Sequence, residues 1–318
     1  MDVQVLKQNK RTNTIQSLQL IGGMCLIMGA IGWAVLGWLG AFLAIAISLL
    51  VALFGPRVSP VVVLKMFKAK LIHPNQAPEL YQIQQALSER AELDHVPAVY
   101  YIPSRMMNAF ATGTGKQAVV AVSDGLLRAL TPREMAGVLA HEISHIRHRD
   151  IRIMSIGDSF SRFASIASRI GLVMFFAAML IGQWSGFWRL LFLFFAPSAT
   201  VLLQLALSRS REFNADMGAA ELTRDPQGLV LALEKLERQH SGGWLRKVLF
   251  PGAKQPAPTA LRTHPPTAER IERLMSLVPQ YAEEPNVVQM DEKVACCPSE
   301  FQTVKRKPSW HVISGFWH

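Results

Sequence analysis

The sequence contains one short pattern whose residues could bind a metal ion, HEISH at residues 141–145. Side chains four positions apart lie on the same face of an α-helix, so His141 and His145 could bind one divalent cation together. Glu142 lies beside them and could accept a proton from a water molecule on that cation. Two histidines on a solvated helix would give the same string, but the pattern is typical of zinc peptidases. It therefore predicts a hydrolytic metal site.

The residues before this pattern predict the helix that carries it. The segment TPRE at residues 131–134 supplies an N-cap threonine, a proline at the first helical position and a glutamate that closes a capping box. The next six residues, MAGVLA, are apolar or small. This composition favours a helix that is buried behind an active site.

A catalytic zinc ion needs a third protein ligand and an open position for water. His148 lies on nearly the same helix face as His141, but about 10 Å further along the axis, which is too far to complete the site. Glu212 and Asp216 are four positions apart, so one could bind the metal while the other orients a histidine. The same spacing also occurs on solvated helix faces. The residues by themselves leave the third ligand open, with Glu212 as the better candidate.

The composition is typical of a membrane protein, because 50% of the residues are hydrophobic, 18% are charged and the net charge is +10. The 45 residues between Arg11 and Arg57 include no charged residue and no histidine. A single helix of this length would measure about 67 Å, whereas the hydrocarbon core of a bilayer is about 30 Å thick. The run also exceeds the apolar region of a signal peptide, which is about 7 to 15 residues long. We therefore expect two spans, near 17–36 and 39–54, with a break around Gly37–Gly40.

Two further windows without charged residues, 170–188 and 190–208, are 19 residues long and could each cross a bilayer. Pro197 and Gln204 dilute the second window, so buried helices or a re-entrant hairpin are the alternative. The windows together predict four transmembrane helices, or two if the second pair does not span. The three cysteines lack the spacing of a redox or metal motif, and no nucleic-acid motif is present.

Basic residues flank the first pair of spans, whereas the short turn between the spans has none. By the positive-inside rule, both flanks are expected to face the cytoplasm, where they suit anionic lipid head groups. These residues are Lys7, Lys10, Arg11, Arg57, Lys65, Lys68 and Lys70.

The fold class is expected to be mainly α with a small β-sheet. The soluble part should contain a helix at about 77–93, strands at 98–102, 107–112 and 117–122, and helical structure over 209–240. A loop at 241–266 and a helix at about 267–278 follow. The domain prediction is a transmembrane hairpin (15–55), a first catalytic part (57–155), a second hairpin (168–208), a second catalytic part (209–279) and a flexible tail (280–318).

Three motifs carry a resemblance to a known family: HEISH at 141–145, SREFNAD at 210–216 and THPPTAER at 263–270. In this order, and with one hydrophobic pair before the first motif and another between the first two, they resemble the HtpX-type membrane metalloproteases, which are relatives of the CAAX prenyl proteases. The resemblance covers about residues 15–278. It implies a zincin-like metalloprotease domain with one zinc ion per subunit.

The resemblance also implies roles for individual residues. The zinc ligands would be His141, His145 and Glu212, with Glu142 as the general base. Asp216 would support the histidines, His264 would stabilise the oxyanion, and Arg270 would brace Asp216 or its neighbours. An edge strand containing Asn108, Ala109 and Phe110 would bind substrate by strand addition.

The implied function is an endopeptidase of membrane-protein quality control and stress response. Its partners would be misfolded membrane proteins, unfolded polypeptides and the lipid bilayer of the cell inner membrane, with the catalytic domain and both termini in the cytoplasm. Glu212 lies only about 6 Å beyond the last apolar window, so the active site is expected near the bilayer surface. A CAAX-type prenyl protease and a non-catalytic membrane adaptor are the alternatives. A transporter is disfavoured because the four windows hold no ionisable residue.

Overall fold

The computed structural model describes residues 3–54, 59–180, 182, 187–241, 267–281, 310–311 and 316–317. The chain divides into two compact units. One, here called the apolar unit, comprises Met1–Arg57 and Arg152–Ser210. The other, here called the mixed unit, comprises Val58–Ile151 and Arg211–His318. The mixed unit is thus built from two segments of chain that a long insertion separates.

As far as the structure describes it, the apolar unit consists of three long helices: α1 (Val3–Phe54), nearly all of α6 (Asp150–Leu180) and the first part of α7 (Phe187–Thr223). Large apolar side chains are exposed on this unit, among them Trp38 at 84% and Leu180 at 92%. Such a surface suits lipid rather than water. Its buried core includes Met24, Met28, Ile31, Ile156, Phe160, Ala164 and Leu193. In the described part of the chain, three stretches are long and apolar enough to cross a membrane: Ile15–Ala52, Asp150–Leu180 and Leu191–Thr223.

Helix α1 is interrupted by a sharp turn. Leu36 and Gly37 have non-helical backbone angles, and Gly37 has a φ of 66°, in the left-handed region that glycine adopts readily. A carbon added as a side chain on Gly32 would lie 2.2 Å from the carbonyl oxygen of Gly40. Residues eight positions apart would be about 12 Å apart along a straight helix. The chain therefore folds back here, at the start of the break predicted for Gly37–Gly40.

The mixed unit contains a four-stranded sheet in the order β1-β2-β4-β3. Strands β2 and β4 are parallel, and the other two pairs are antiparallel. The strand predicted at 98–102 is confirmed, whereas those predicted at 107–112 and 117–122 each begin two residues later. Among the described residues, strand β3 has β4 as its only neighbour in this sheet, so its other side is an open edge there. The strands are β1 (Lys70–Leu71), β2 (Ala98–Ile102), β3 (Ala109–Thr112) and β4 (Val119–Ser123).

Helices pack on this sheet around one apolar core. The core joins residues of the strands and of helices far apart in sequence, such as Val120, Leu139, Leu229 and Leu274. The helices of the mixed unit are α2 (Pro60–Met66), α3 (Pro78–Arg90), α4 (Asp124–Ala129), α5 (Pro132–Arg147), α8 (Pro226–Ser241) and α9 (Thr267–Tyr281), together with the end of α7.

The helical structure predicted over 209–240 is confirmed except for one break, because α7 ends at Thr223 and α8 begins at Pro226. Arg224 has a φ of 58°, and the residue before a proline is disfavoured in helical conformation. Asp225 then caps α8, since its Oδ1 accepts a hydrogen bond from the Gly228 N–H at 3.1 Å.

The last two segments are only partly described. The loop predicted at 241–266 lies outside the described residues, apart from Ser241, which ends α8. The helix predicted at about 267–278 continues to Tyr281. The tail predicted from residue 280 therefore begins inside this helix. Further on, Trp310–His311 pairs with Phe316–Trp317 as two short antiparallel strands, and the other residues after Tyr281 lie outside the described residues.

Candidate metal centre

Helix α5 places the HEISH motif in the interior of the mixed unit. Its predicted capping box is confirmed: the Thr131 side chain accepts from the Glu134 N–H, and Glu134 Oε2 accepts from the Thr131 N–H at 2.8 Å. Every residue from Glu134 to His145 is buried, because α5 lies between the sheet, α3 and α8. The helix therefore begins at a fixed residue and holds the motif away from bulk solvent.

Three side chains converge at one point. His141 and His145 come from successive turns of α5, and Glu212 comes from α7. The Nε2 atoms of the two histidines lie 3.2 Å apart. His141 Nε2 is 3.4 Å from Glu212 Oε2, and His145 Nε2 is 3.7 Å from Glu212 Oε1. All three residues are buried, and one ligand atom from each lies within 4.8 Å of the others. The structure thus brings together the two histidines and the favoured third ligand.

These distances fit a tetrahedral cation. Bonds of about 2.0–2.1 Å from zinc to nitrogen or oxygen place neighbouring ligand atoms about 3.3–3.4 Å apart. The observed separations of 3.2, 3.4 and 3.7 Å lie close to that value. Two imidazoles and one carboxylate leave one tetrahedral position open, as catalytic zinc sites require.

Each histidine is held from behind by an aspartate. His141 Nδ1 lies 3.0 Å from Asp216 Oδ1, and His145 Nδ1 lies 2.9 Å from Asp150 Oδ2. A carboxylate can only accept a hydrogen bond, so each Nδ1 is the donor, and a ring that binds metal in its neutral form would present the lone pair of Nε2. Two such lone pairs and the Glu212 carboxylate then face one another. A cation satisfies all three at once.

The charges around the site also favour a divalent cation. Within the described part of the chain, four buried carboxylates and two buried guanidinium groups surround the histidines, which leaves two negative charges unmatched when both rings are neutral. The groups are Glu142, Asp150, Glu212, Asp216, Arg211 and Arg270.

Arg270 is the partner of Asp216, and it lies on α9. Its Nε and Nη2 donate to the two carboxylate oxygens of Asp216 at 2.8 and 2.7 Å, and its Nη1 is 3.6 Å from Glu212 Oε2. Parallel hydrogen bonds of this kind fix the orientation of a carboxylate. The contact expected between Arg270 and Asp216 is therefore present.

The same neighbours act on the protonation of His141. Burial has the largest influence and lowers the pKa of His141, but hydrogen bonds to Asp216 and Glu212 outweigh it and raise this pKa to about 10. A cation bound at Nε2 would take the place of the proton that these carboxylates stabilise.

Glu142 faces the open edge of the sheet. Its Oε2 accepts a hydrogen bond of 2.7 Å from the N–H of Ala111 in β3. Asn108 precedes the strand and pairs with β4 instead, since its N–H donates to Ser123 Oγ and its carbonyl accepts from the Ser123 N–H, both at 2.9 Å. Ala109 and Phe110 lie in β3 itself. The edge strand and the expected base are thus adjacent.

Two residues at the site were not anticipated from the sequence. Asp150 bonds to His145, and Arg211 Nη1 donates to Asp150 Oδ1 at 3.3 Å. Arg149 has a φ of 56°, which interrupts the helix between α5 and α6, and Asp150 then contacts the motif through His145. The sequence signal for this contact was the acidic residue Asp150, which lies five positions after His145.

The sequence analysis considered two further histidines, His148 and His264. His148 Nδ1 contacts the carbonyl oxygen of Ser144 at 2.9 Å, and His148 does not belong to the group of converging ligands. His264 lies outside the described residues.

Comparison with known proteins gives a consistent result. The model of peptidase family M48 matches residues 74–278. A protease HtpX homolog from Methylibium petroleiphilum is 35% identical over 291 residues, which cover 84% of this chain and 99% of that protein. Protease HtpX homologs from Paraburkholderia phytofirmans and Acaryochloris marina are 36% and 34% identical, over 83% and 86% of this chain and 97% and 98% of those proteins.

Proposed function

The chain belongs to peptidase family M48 and is a metalloprotease, and from this premise we propose that it is a membrane-anchored zinc endopeptidase that cleaves misfolded or damaged membrane proteins. The observation that carries the proposal is the convergence of His141, His145 and Glu212 beside Glu142. This set supplies ligands, an open position and a base within one buried site.

Zinc is the metal that this ligand set suits best. Two imidazoles and a carboxylate at tetrahedral separations are typical of catalytic zinc sites, whereas magnesium and calcium prefer sites made of oxygen atoms. A bound zinc ion would lower the pKa of a water ligand toward about 7 and polarise the scissile carbonyl. One ion per subunit would balance the two unmatched negative charges of the site.

Glu142 is proposed as the general base. Its carboxylate is buried beside the ligands, and the Ala111 N–H holds one of its oxygens. It would accept a proton from the attacking water and return it to the leaving amine. His264, in the third motif, is proposed to stabilise the oxyanion, as the family resemblance implies.

Strand β3 is proposed to bind the substrate. It is the edge of its sheet, and the N–H of Ala111 points to Glu142 rather than to β4. An extended peptide beside Ala109 and Phe110 would continue the sheet and pass the base, with recognition through backbone groups more than through side chains. Unfolded segments of varied sequence meet this requirement.

Four transmembrane helices are proposed, two of them within α1. The candidate stretch Ile15–Ala52 has 38 residues, and the turn at Gly37 divides it into two arms that contact each other. Helices α6 and α7 supply the second pair. The basic flanks of the first pair support a cytoplasmic catalytic domain and cytoplasmic termini in the cell inner membrane.

The test is digestion of casein and of a destabilised membrane protein by the full-length protein in detergent. The zinc-loaded enzyme should cleave both, and a chelator should abolish cleavage until zinc returns. Glu142→Gln should reduce cleavage by about 10²- to 10⁴-fold, because a general base contributes about that much. The variant should still bind one zinc ion. Cleavage that survives both chelation and Glu142→Gln would overturn the proposal.

A further inference from the structure

Asp150 and Arg211 form a buried ion pair directly behind the metal-binding residues. Asp150 is 0% exposed and uses both of its oxygens, Oδ2 toward His145 Nδ1 at 2.9 Å and Oδ1 toward Arg211 Nη1 at 3.3 Å. Arg211 immediately precedes Glu212 in α7. One side chain therefore connects a histidine on α5 with the residue next to the carboxylate ligand.

The two histidines have equivalent supports. His141 is backed by Asp216 and then Arg270, and His145 is backed by Asp150 and then Arg211. In both supports a guanidinium group donates to an aspartate, and that aspartate contacts Nδ1 of the ring. Of the second support, Arg211 lies within the SREFNAD motif, whereas Asp150 lies outside all three sequence motifs.

The second support also lies where the mixed unit is interrupted. The chain leaves this unit after Ile151 and returns at Arg211. Asp150 and Arg211, 61 positions apart, meet across the ends of the insertion. Because Asp150 also bonds to His145, the ion pair links the helix that carries both histidines to the segment that carries Glu212.

We infer that Asp150 and Arg211 are a positioning pair for the metal site: Asp150 holds His145 with its proton on Nδ1 and its Nε2 lone pair toward the metal, and Arg211 fixes Asp150 in that role. The inference rests on the proposed metal-binding function. It predicts that the pair controls metal affinity, beyond any contribution to folding.

The substitution Asp150→Asn tests this role because it changes one atom. Arg211 can only donate hydrogen bonds, so it should attract the asparagine oxygen and turn the NH₂ group toward His145. Nδ1 would then have to accept, and the ring proton would move to Nε2, where it blocks metal binding. Removing Arg211 as well releases the asparagine, whose oxygen can then accept from Nδ1 again. The double variant should therefore bind metal more tightly than Asp150→Asn.

The experiment uses full-length protein in detergent with Glu142→Gln throughout, which prevents self-digestion. Zinc affinity is measured by competition with a chromogenic chelator, and the visible spectrum of bound Co²⁺ reports ligand geometry. Asp150→Asn should weaken zinc binding about 10- to 100-fold and alter the Co²⁺ spectrum. Asp150→Asn with Arg211→Met should recover about tenfold of that loss.

The matched control is Asp225→Asn, which alters a second buried aspartate that pairs with a distant arginine of the same unit. Asp225 Oδ1 accepts from Arg133 Nη2 at 2.9 Å, and neither residue belongs to the ligand group. This variant should lower the melting temperature without changing zinc affinity. If Asp150→Asn yields no folded protein, Arg211→Met by itself replaces it and should weaken zinc binding about tenfold or less.

The possible outcomes distinguish a failure of the positioning role from a failure of the proposed zinc site. Unchanged zinc affinity in Asp150→Asn, or a double variant that binds zinc more weakly than Asp150→Asn, would overturn the positioning role and leave the proposed protease intact. Failure of the Glu142→Gln background to bind one zinc ion per chain would overturn the proposed zinc site and the positioning role together.

Discussion

Buried polar groups serve different purposes in the two units. In the apolar unit, several are hydroxyls that bond to their own helix: Ser48 Oγ donates to the Ala44 carbonyl at 2.7 Å, and Thr200 Oγ1 donates to the Ala196 carbonyl at 2.9 Å. In the mixed unit, buried charges connect helices far apart in sequence, as Arg270 and Asp216 do. These charged groups therefore join separate helices in the mixed unit, whereas the hydroxyls of the apolar unit form hydrogen bonds within a single helix.

The largest effect is expected at the charged network. Arg270→Met would leave the carboxylates of Asp216 and Glu212 buried without their guanidinium partner. Removing one member of a buried ion pair costs about 3–5 kcal/mol. The free energy of unfolding, measured in denaturant with a chelator present so that metal binding does not mask the loss, should fall by that amount.

Arg273→Met is the matched control, because Arg273 lies on the same helix one turn later. Its side chain is 56% exposed and lies over the ring of Phe213 at 3.6 Å. Losing this contact should cost about 0.5–1 kcal/mol. Equal losses in the two variants would show that Arg270 contributes only to helix docking.

A smaller effect is expected where two helices of the mixed unit approach closely. A carbon added at Gly218 would lie 2.1 Å from Ser144 Oγ and 2.9 Å from Ser144 Cβ. Gly218→Ala would push α7, which carries Glu212, away from α5. Overpacking of this kind costs about 1–3 kcal/mol, and chelator competition should show weaker zinc binding as well.

Gly22→Ala is the matched change in the apolar unit, where an added carbon would meet nothing within 4 Å. It should be neutral or stabilising by up to about 1 kcal/mol, because alanine favours a helix over glycine. A larger loss from Gly22→Ala than from Gly218→Ala would contradict the contrast between the units.

The smallest effect is expected for a hydroxyl of the apolar unit. Thr200→Val removes a hydrogen bond within one helix and should change the unfolding free energy by less than about 1 kcal/mol. Thr223, on the same helix, also bonds to the carbonyl four residues before it, at Ala219, but its Oγ1 additionally accepts from the Asp225 N–H at 3.1 Å. Thr223→Val should cost about 1–2 kcal/mol more than Thr200→Val, and protease activity should be unchanged by Thr200→Val.

Local signals in the sequence were sufficient for the helix that carries the histidines. The capping box at Thr131 and the spacing of His141 and His145 depend only on neighbouring residues, and the structure shows the same capping and the same shared face. The turn at Gly37 followed from the length of the apolar run and its glycines. The Asp-Pro pair at residues 225–226 is a signal for the end of α7 at Thr223. The prediction did not use this signal, because the residues on both sides have a helical pattern.

The remaining parts of the site depend on contacts that spacing does not encode. Asp150 reaches His145 only because Arg149 adopts a left-handed backbone conformation, which few non-glycine residues favour. Arg211 reaches Asp150 only after 60 intervening residues. Spacing only suggested Glu212 and Asp216, and the resemblance to a family assigned their roles and supplied Arg270. The approach of these residues to His141 could not be worked out from periodicity.

The divided mixed unit has a consequence for how the protein is made. Arg270 lies 129 residues after His141, so the two are synthesised about 6 to 26 seconds apart at about 5–20 residues per second. During that interval the nascent chain has both histidines but not the arginine that completes their surroundings. The nascent chain therefore acquires the complete set of described site residues only after helices α6 and α7 have been synthesised.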